Sequence, residues 1–101
     1  MEIQELVEAW KQKYESDVKP WIQQGNHFIA CAEMGNLVEL IRMEKELLTP
    51  GTSLLMSLLG TATILRDELA RPYPQLGLRT RMFEYLLEQT SPPLQPITTQ
   101  P

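Results

Sequence analysis

The chain has 101 residues, 43% of them hydrophobic and 22% charged, with a formal net charge of −4 at pH 7. This is the size and composition of one globular domain with a real core, which excludes a chain that is mostly disordered. The acidic balance argues against a sequence-independent grip on nucleic acid, because that needs a basic surface.

The acidity is local, with nine Asp/Glu against five Lys/Arg in residues 1–50 and four of each in residues 51–101. Cys31 is the single cysteine, so neither an intrachain disulfide nor a cysteine zinc cage is available. The opening MEIQELVE has no basic segment leading into an apolar run, so no signal peptide is expected. The greasiest stretch, Leu54 to Leu65, is interrupted by Ser57, Gly60, Thr61 and Thr63. It is shorter than the roughly 18 apolar residues of a membrane span. A cytoplasmic protein without membrane attachment is the expectation.

Ile3, Leu6, Val7, Trp10, Tyr14 and Val18 recur at helical spacing and predict a first amphipathic helix ending near Asp17. Pro20 suits the first turn of a helix better than its interior, so a second helix is expected to begin there. Its predicted inner face is Trp21, Ile22, Gly25, Phe28, Ile29 and Ala32, with Gly25-Asn26 read as lying inside the helix. Gly35-Asn36 is read as a turn into a third helix with Leu37, Val38, Leu40, Ile41, Met43, Leu47 and Leu48, closed by Thr49-Pro50-Gly51. A fourth helix, capped by Thr52 or Ser53, runs to Ala70 with Leu54, Leu55, Leu58, Leu59, Ala62, Leu65 and Leu69 inward. Its first three turns hold almost no charge, which makes it the expected centre of the fold. After the bend Arg71-Pro72-Tyr73-Pro74-Gln75-Leu76-Gly77, a fifth helix spans about Gly77 to Thr90, with Leu78, Met82, Phe83, Leu86 and Leu87 inward. Residues 91–101, SPPLQPITTQP, form an expected Pro-rich flexible tail carrying a PxxP match at Pro93–Pro96. No segment alternates as a strand does. The fold class is therefore all-α, a compact antiparallel bundle or short array of about five helices in one domain, residues 1–90.

Sites for chemistry are sparse. There is no Gly-rich phosphate loop, GxSxG, HExxH or Walker pattern. His27, Cys31 and Met34 share a spacing of i, i+4, i+7, so His27 and Cys31 are candidate metal ligands. The simpler reading packs Cys31 and Met34 as apolar residues beside a surface histidine. The carboxylate pairs Glu44–Glu46, Asp67–Glu68 and Glu84–Glu88 read as solvated faces. Arg71, Arg79 and Arg81 gather in sequence around the Pro-rich bend with Tyr73 and Tyr85. Arginines near a helix N-terminus sit at its positive end, so these five residues are the candidate partner-binding or anion-binding site. Ser53, Ser57, Gly60 and Thr61 form a small-residue stripe, read either as internal packing or as a dimer seam.

Residues 28–50, FIACAEMGNLVELIRMEKELLTP, resemble part of a tetratricopeptide repeat: helix, Gly-Asn turn, second helix and closing proline. The segment from Gly35 to Pro50 is about two residues shorter than that repeat demands, Leu40 stands where the family places a small Ala, and no second copy is present. The resemblance implies a concave peptide-binding face.

The functional expectation is a small non-catalytic protein–protein interaction module, an adaptor, regulator or assembly factor without a cofactor. It would act on a protein partner through apolar helical surfaces and self-associate as a homodimer. The support is large apolar residues that one core cannot easily use, among them Met56 and Ile64 off the main stripe of the fourth helix. The alternatives are a small-molecule or metal-binding helical protein, using His27 and Cys31 or the arginine bend, and a helix-turn-helix DNA binder led by Arg79 and Arg81. The net charge disfavours the last of these.

Overall fold

A computed structural model describes residues 3–47 and 53–90. The linker at 48–52, with its Thr49-Pro50-Gly51 stop, and the Pro-rich segment 91–101 lie outside the described residues. All regular structure among the described residues is helical: α1 (Ile3–Lys13), a π-helical turn (Tyr14–Val18), α2 (Lys19–Gln23), α3 (His27–Glu44), a 3₁₀ turn (Lys45–Leu47), α4 (Ser53–Leu69) and α5 (Leu76–Thr90). The all-α bundle expected from the sequence is present, and three of its internal boundaries differ.

Pro20 does not start a new helix. The amide of Lys19 donates to the carbonyl of Tyr14, five residues back, so a π turn carries the chain past the proline. Pro20 has no N–H to give, and in regular α-helical register its ring would press on the carbonyl four residues earlier. One extra residue in the turn relieves both problems. Residues 3–23 are consequently one rod, held through the π turn by the buried side chains of Tyr14 and Val18.

The break expected at Pro20 falls instead at Gly25-Asn26. Gly25 adopts φ +78°, the left-handed conformation that a helix C-terminus favours. Its N–H donates to Ile22 O at 3.0 Å and the Asn26 N–H to Trp21 O at 2.8 Å, which ties off the end of α2. Asn26 then starts the next helix, its Oδ1 accepting the Ile29 N–H. The dipeptide therefore ends one helix and caps another.

Gly35-Asn36, expected to turn the chain, lies in the middle of α3. A helix-interior glycine costs about 1 kcal/mol relative to alanine. The fully buried residues Ala30, Met34, Leu37, Val38 and Ile41, spaced i, i+4, i+7, i+8, i+11, outweigh it. The helix–turn–helix on which the tetratricopeptide resemblance rested is thus one continuous helix, and that resemblance does not hold. The expected inner face of the second helix fails with it, because Phe28 is 85% exposed and Ala32 is exposed.

The helices form a ring of four corners. α1 packs on α3 and α5, and α4 packs on α3 and α5 from the opposite side. The core at the centre joins Leu6, Trp10 and Tyr14 of α1 to Met34 and Ile41 of α3, Leu58 and Leu65 of α4, and Phe83 and Leu87 of α5. α4 buries Leu55, Leu58, Ala62, Leu65 and Leu69 as expected, whereas Leu54 at its first turn is exposed. On α5 only Phe83 and Leu87 are buried, and Leu78 and Met82, expected inward, face solvent. No described helix is long and apolar enough to cross a membrane.

Candidate functional site

The five residues predicted to gather at the bend do not form one site. Arg79 and Arg81 are two positions apart on α5, which places them about 200° apart around the helix. Arg71, Tyr73 and Arg79 line an open cleft of about 460 Å³ at the α4–α5 corner, together with Glu68, Gln75, Gly77 and Leu78. Arg81 and Tyr85 line a separate groove of about 440 Å³ between α1 and α5, with Lys11, Tyr14, Glu15 and Glu84.

The corner cleft is organised by Glu68, the one charged residue buried among those described. Reading Asp67–Glu68 as a solvated pair is therefore wrong for Glu68. It follows Leu65 by three positions and precedes Leu69 by one, on the inward side of α4, and that periodicity was the available signal. Its Oε2 accepts the Gln75 N–H at 2.8 Å, which pins the start of α5 to the end of α4. Its Oε1 lies 3.5 Å from Arg71 Nε and 3.9 Å from Arg79 Nε. A buried carboxylate needs partners of this kind, since an unpaired one costs several kcal/mol.

In the α1–α5 groove, polar side chains close the seam between the two helices. Tyr14 Oη donates to Glu84 Oε2 at 2.7 Å, and Lys19 Nζ lies 3.4 Å from the same oxygen. Lys11 Nζ contacts Glu88 Oε2 at 2.7 Å. Burial, followed by the bond to Glu84, raises the Tyr14 hydroxyl well above its ordinary value. The bond to Glu88 raises the Lys11 ammonium. Beneath these links the Tyr14 and Phe83 rings meet edge to face, with centroids 5.0 Å apart.

His27 opens α3 and Cys31 stands one turn later. The Cys31 thiol is half-buried and donates to the Arg66 carbonyl at 3.5 Å, which ties α3 to α4. Met34 is fully buried. No group of three His, Cys, Asp or Glu side chains suited to a metal ion occurs among the described residues.

The small-residue stripe of α4 faces outward. Ser53, Ser57 and Gly60 are exposed, and Thr61 at its edge is half-buried. A Cβ built on Gly60 would meet nothing within 4 Å, so the glycine is not explained by packing inside the subunit. The same face carries Met56, 57% exposed, and Ile64, 46% exposed. The hydroxyl of half-buried Thr63 is already bonded to the Leu59 carbonyl at 2.9 Å. From Ser53 to Leu65 there is no charged residue at all.

No family model, curated protein or solved structure matches this chain. Its function is therefore argued from these surfaces alone.

Proposed function

We infer that this chain is a small protein–protein interaction module that works by pairing the outward face of α4 with the same face of a second copy. The observation that carries this reading is an exposed helix face three turns long with no charge, bearing Met56 and Ile64 beside Ser57 and Gly60. Exposed faces of monomeric proteins ordinarily carry interspersed charges, and an apolar exception marks a contact surface.

Charge selects the occupant. Each copy carries a net charge of −4, so two copies repel over most of their surfaces. Repulsion is weakest where there is no charge. A two-fold contact places the same patch on both subunits, which an uncharged patch tolerates without like-charge encounters. Gly60 and Ser57 allow two backbones to approach closely, and Met56 and Ile64 supply the apolar area around them. Thr63 brings no unsatisfied hydroxyl into the contact, because its acceptor lies in its own helix.

Light scattering at micromolar concentration tests this directly. The expected mass is twice 11.6 kDa, falling toward 11.6 kDa on dilution. A mass of 11.6 kDa throughout would overturn the reading.

A further inference from the structure

The corner cleft is left electrically incomplete by its own residues. Glu68 supplies one negative charge, and Arg71 and Arg79 supply two positive ones, a formal balance of +1. Each guanidinium comes nearest to the carboxylate through Nε, and neither makes a hydrogen bond with a described residue. The other oxygen of Glu68 is committed to the Gln75 amide. Asp67, the adjacent carboxylate, is held by Arg66 Nε and Nη2 at 3.2 and 3.1 Å. Two planar cations with free donors therefore line a cleft in a chain that is otherwise acidic. The first turn of α5, at Gly77 and Leu78, adds amides with no acceptor inside the helix.

We propose that the cleft between Arg71 and Arg79 binds a carboxylate carried on a small organic acid or on an acidic peptide. A guanidinium fork matches the two oxygens of a carboxylate in one plane. The buried Glu68 sets the preference: one added negative charge neutralises the balance of +1, whereas a phosphate dianion overshoots it beside a fixed anion. A volume of about 460 Å³ is far larger than a carboxylate alone, so the group enters as one end of a larger body. Tyr73, 89% exposed on the cleft wall, offers that body a ring to pack against. This site is separate from the outward face of α4 and does not depend on self-association.

The test is an amide NMR titration of the full chain at pH 7 and constant ionic strength, using benzoate, inorganic phosphate and a capped peptide with a single Asp as probes. Saturable shifts are expected at Gln75, Gly77 and Leu78, with benzoate binding more tightly than phosphate. Arg71→Gln and Arg79→Gln should each weaken benzoate about tenfold, the loss of one charge-assisted contact. Arg81→Gln makes the same charge change in the other groove and should leave the affinity within about twofold. Glu68→Gln keeps an acceptor for Gln75 and raises the balance to +2, so it should tighten binding several-fold, a gain that misfolding cannot mimic. A peptide that outbinds benzoate would assign the site to the acidic side chain of a protein partner, and the reverse order to a free organic acid. Absence of saturation, equal weakening by Arg81→Gln and Arg79→Gln, or tighter binding of phosphate than of benzoate would each overturn the proposal.

Discussion

The seam between α1 and α5 and the outward face of α4 are both surfaces of one bundle, and they are built in opposite ways. Along the seam, Lys11, Tyr14, Lys19, Glu84 and Glu88 bridge the two helices at 2.7–3.4 Å over the buried Tyr14–Phe83 contact. The face of α4 has no charge, one glycine with open space above it, and exposed Met56 and Ile64. Polar links that close over an apolar contact make a surface complete within one subunit. An apolar stripe without such links becomes complete only against another surface. The contrast separates what holds this bundle together from what it offers outward.

The sharpest way to break that contrast is to strike each region with one substitution. Phe83→Ala, under the seam, should lower the unfolding free energy by about 3–5 kcal/mol, as removal of a buried aromatic does. Ile64→Ala should change the stability of the monomer by less than about 0.5 kcal/mol, because its neighbours there are solvent. Urea titrations read both values, and similar costs at the two positions would erase the distinction.

Tyr14→Phe isolates the polar half of the seam. It should cost about 1 kcal/mol at pH 7 through the lost bond to Glu84. It also changes the alkaline limb. The folded-state pKa of Tyr14 is raised above the unfolded value of about 10, so its contribution is complete below pH 10 and is lost as the pH rises beyond it. Stability of the parent protein should thus fall more steeply above pH 10 than that of Tyr14→Phe. Parallel profiles would contradict the assignment.

Gly60→Ala should act in two directions. Alanine in an exposed helix interior gains up to about 1 kcal/mol over glycine, so the monomer should become more stable. The added methyl stands where two α4 helices are to meet, so the association constant should fall. A variant improved or unaffected in both respects would show that Gly60 has no part in a contact. Gly35→Ala is the matched control: an added Cβ lies 3.6 Å from the Arg66 side chain, an ordinary contact, so stability should rise slightly with association unchanged.

Much of this architecture was legible in residue spacing. The i, i+3, i+4 recurrence from Ile3 to Val18 and from Leu55 to Leu69 predicted helices that are present, with their inner faces largely as expected. The misplaced boundaries share one cause, which is that local punctuation was weighed above burial. Pro20 was passed by a π turn because Tyr14 and Val18 were both worth burying. Gly35-Asn36 stayed helical because the stripe Ala30–Met34–Leu37–Val38–Ile41 runs through it. Gly25-Asn26 broke the helix because no buried residue lies between Val18 and Ala30 to resist it. The candidate sites were less legible. Nearness in sequence suggested that Arg79 and Arg81 act together, but helical geometry sends them to different grooves. Glu68 looked like one more surface acid and is the buried hub of the corner. The small-residue stripe was correctly singled out, and only its exposure in the fold distinguishes a candidate seam from internal packing.

The claim that the face of α4 is completed by a second copy is tested most directly by sedimentation velocity on the parent protein and on Ile64→Glu side by side at micromolar concentration. Ile64 is exposed, so the variant should keep the circular dichroism of the parent while each partner in a dimer would have to bury a carboxylate. The account predicts a parent species of twice 11.6 kDa and a variant of 11.6 kDa. A parent that sediments as a monomer, or a folded variant that remains a dimer, would contradict it.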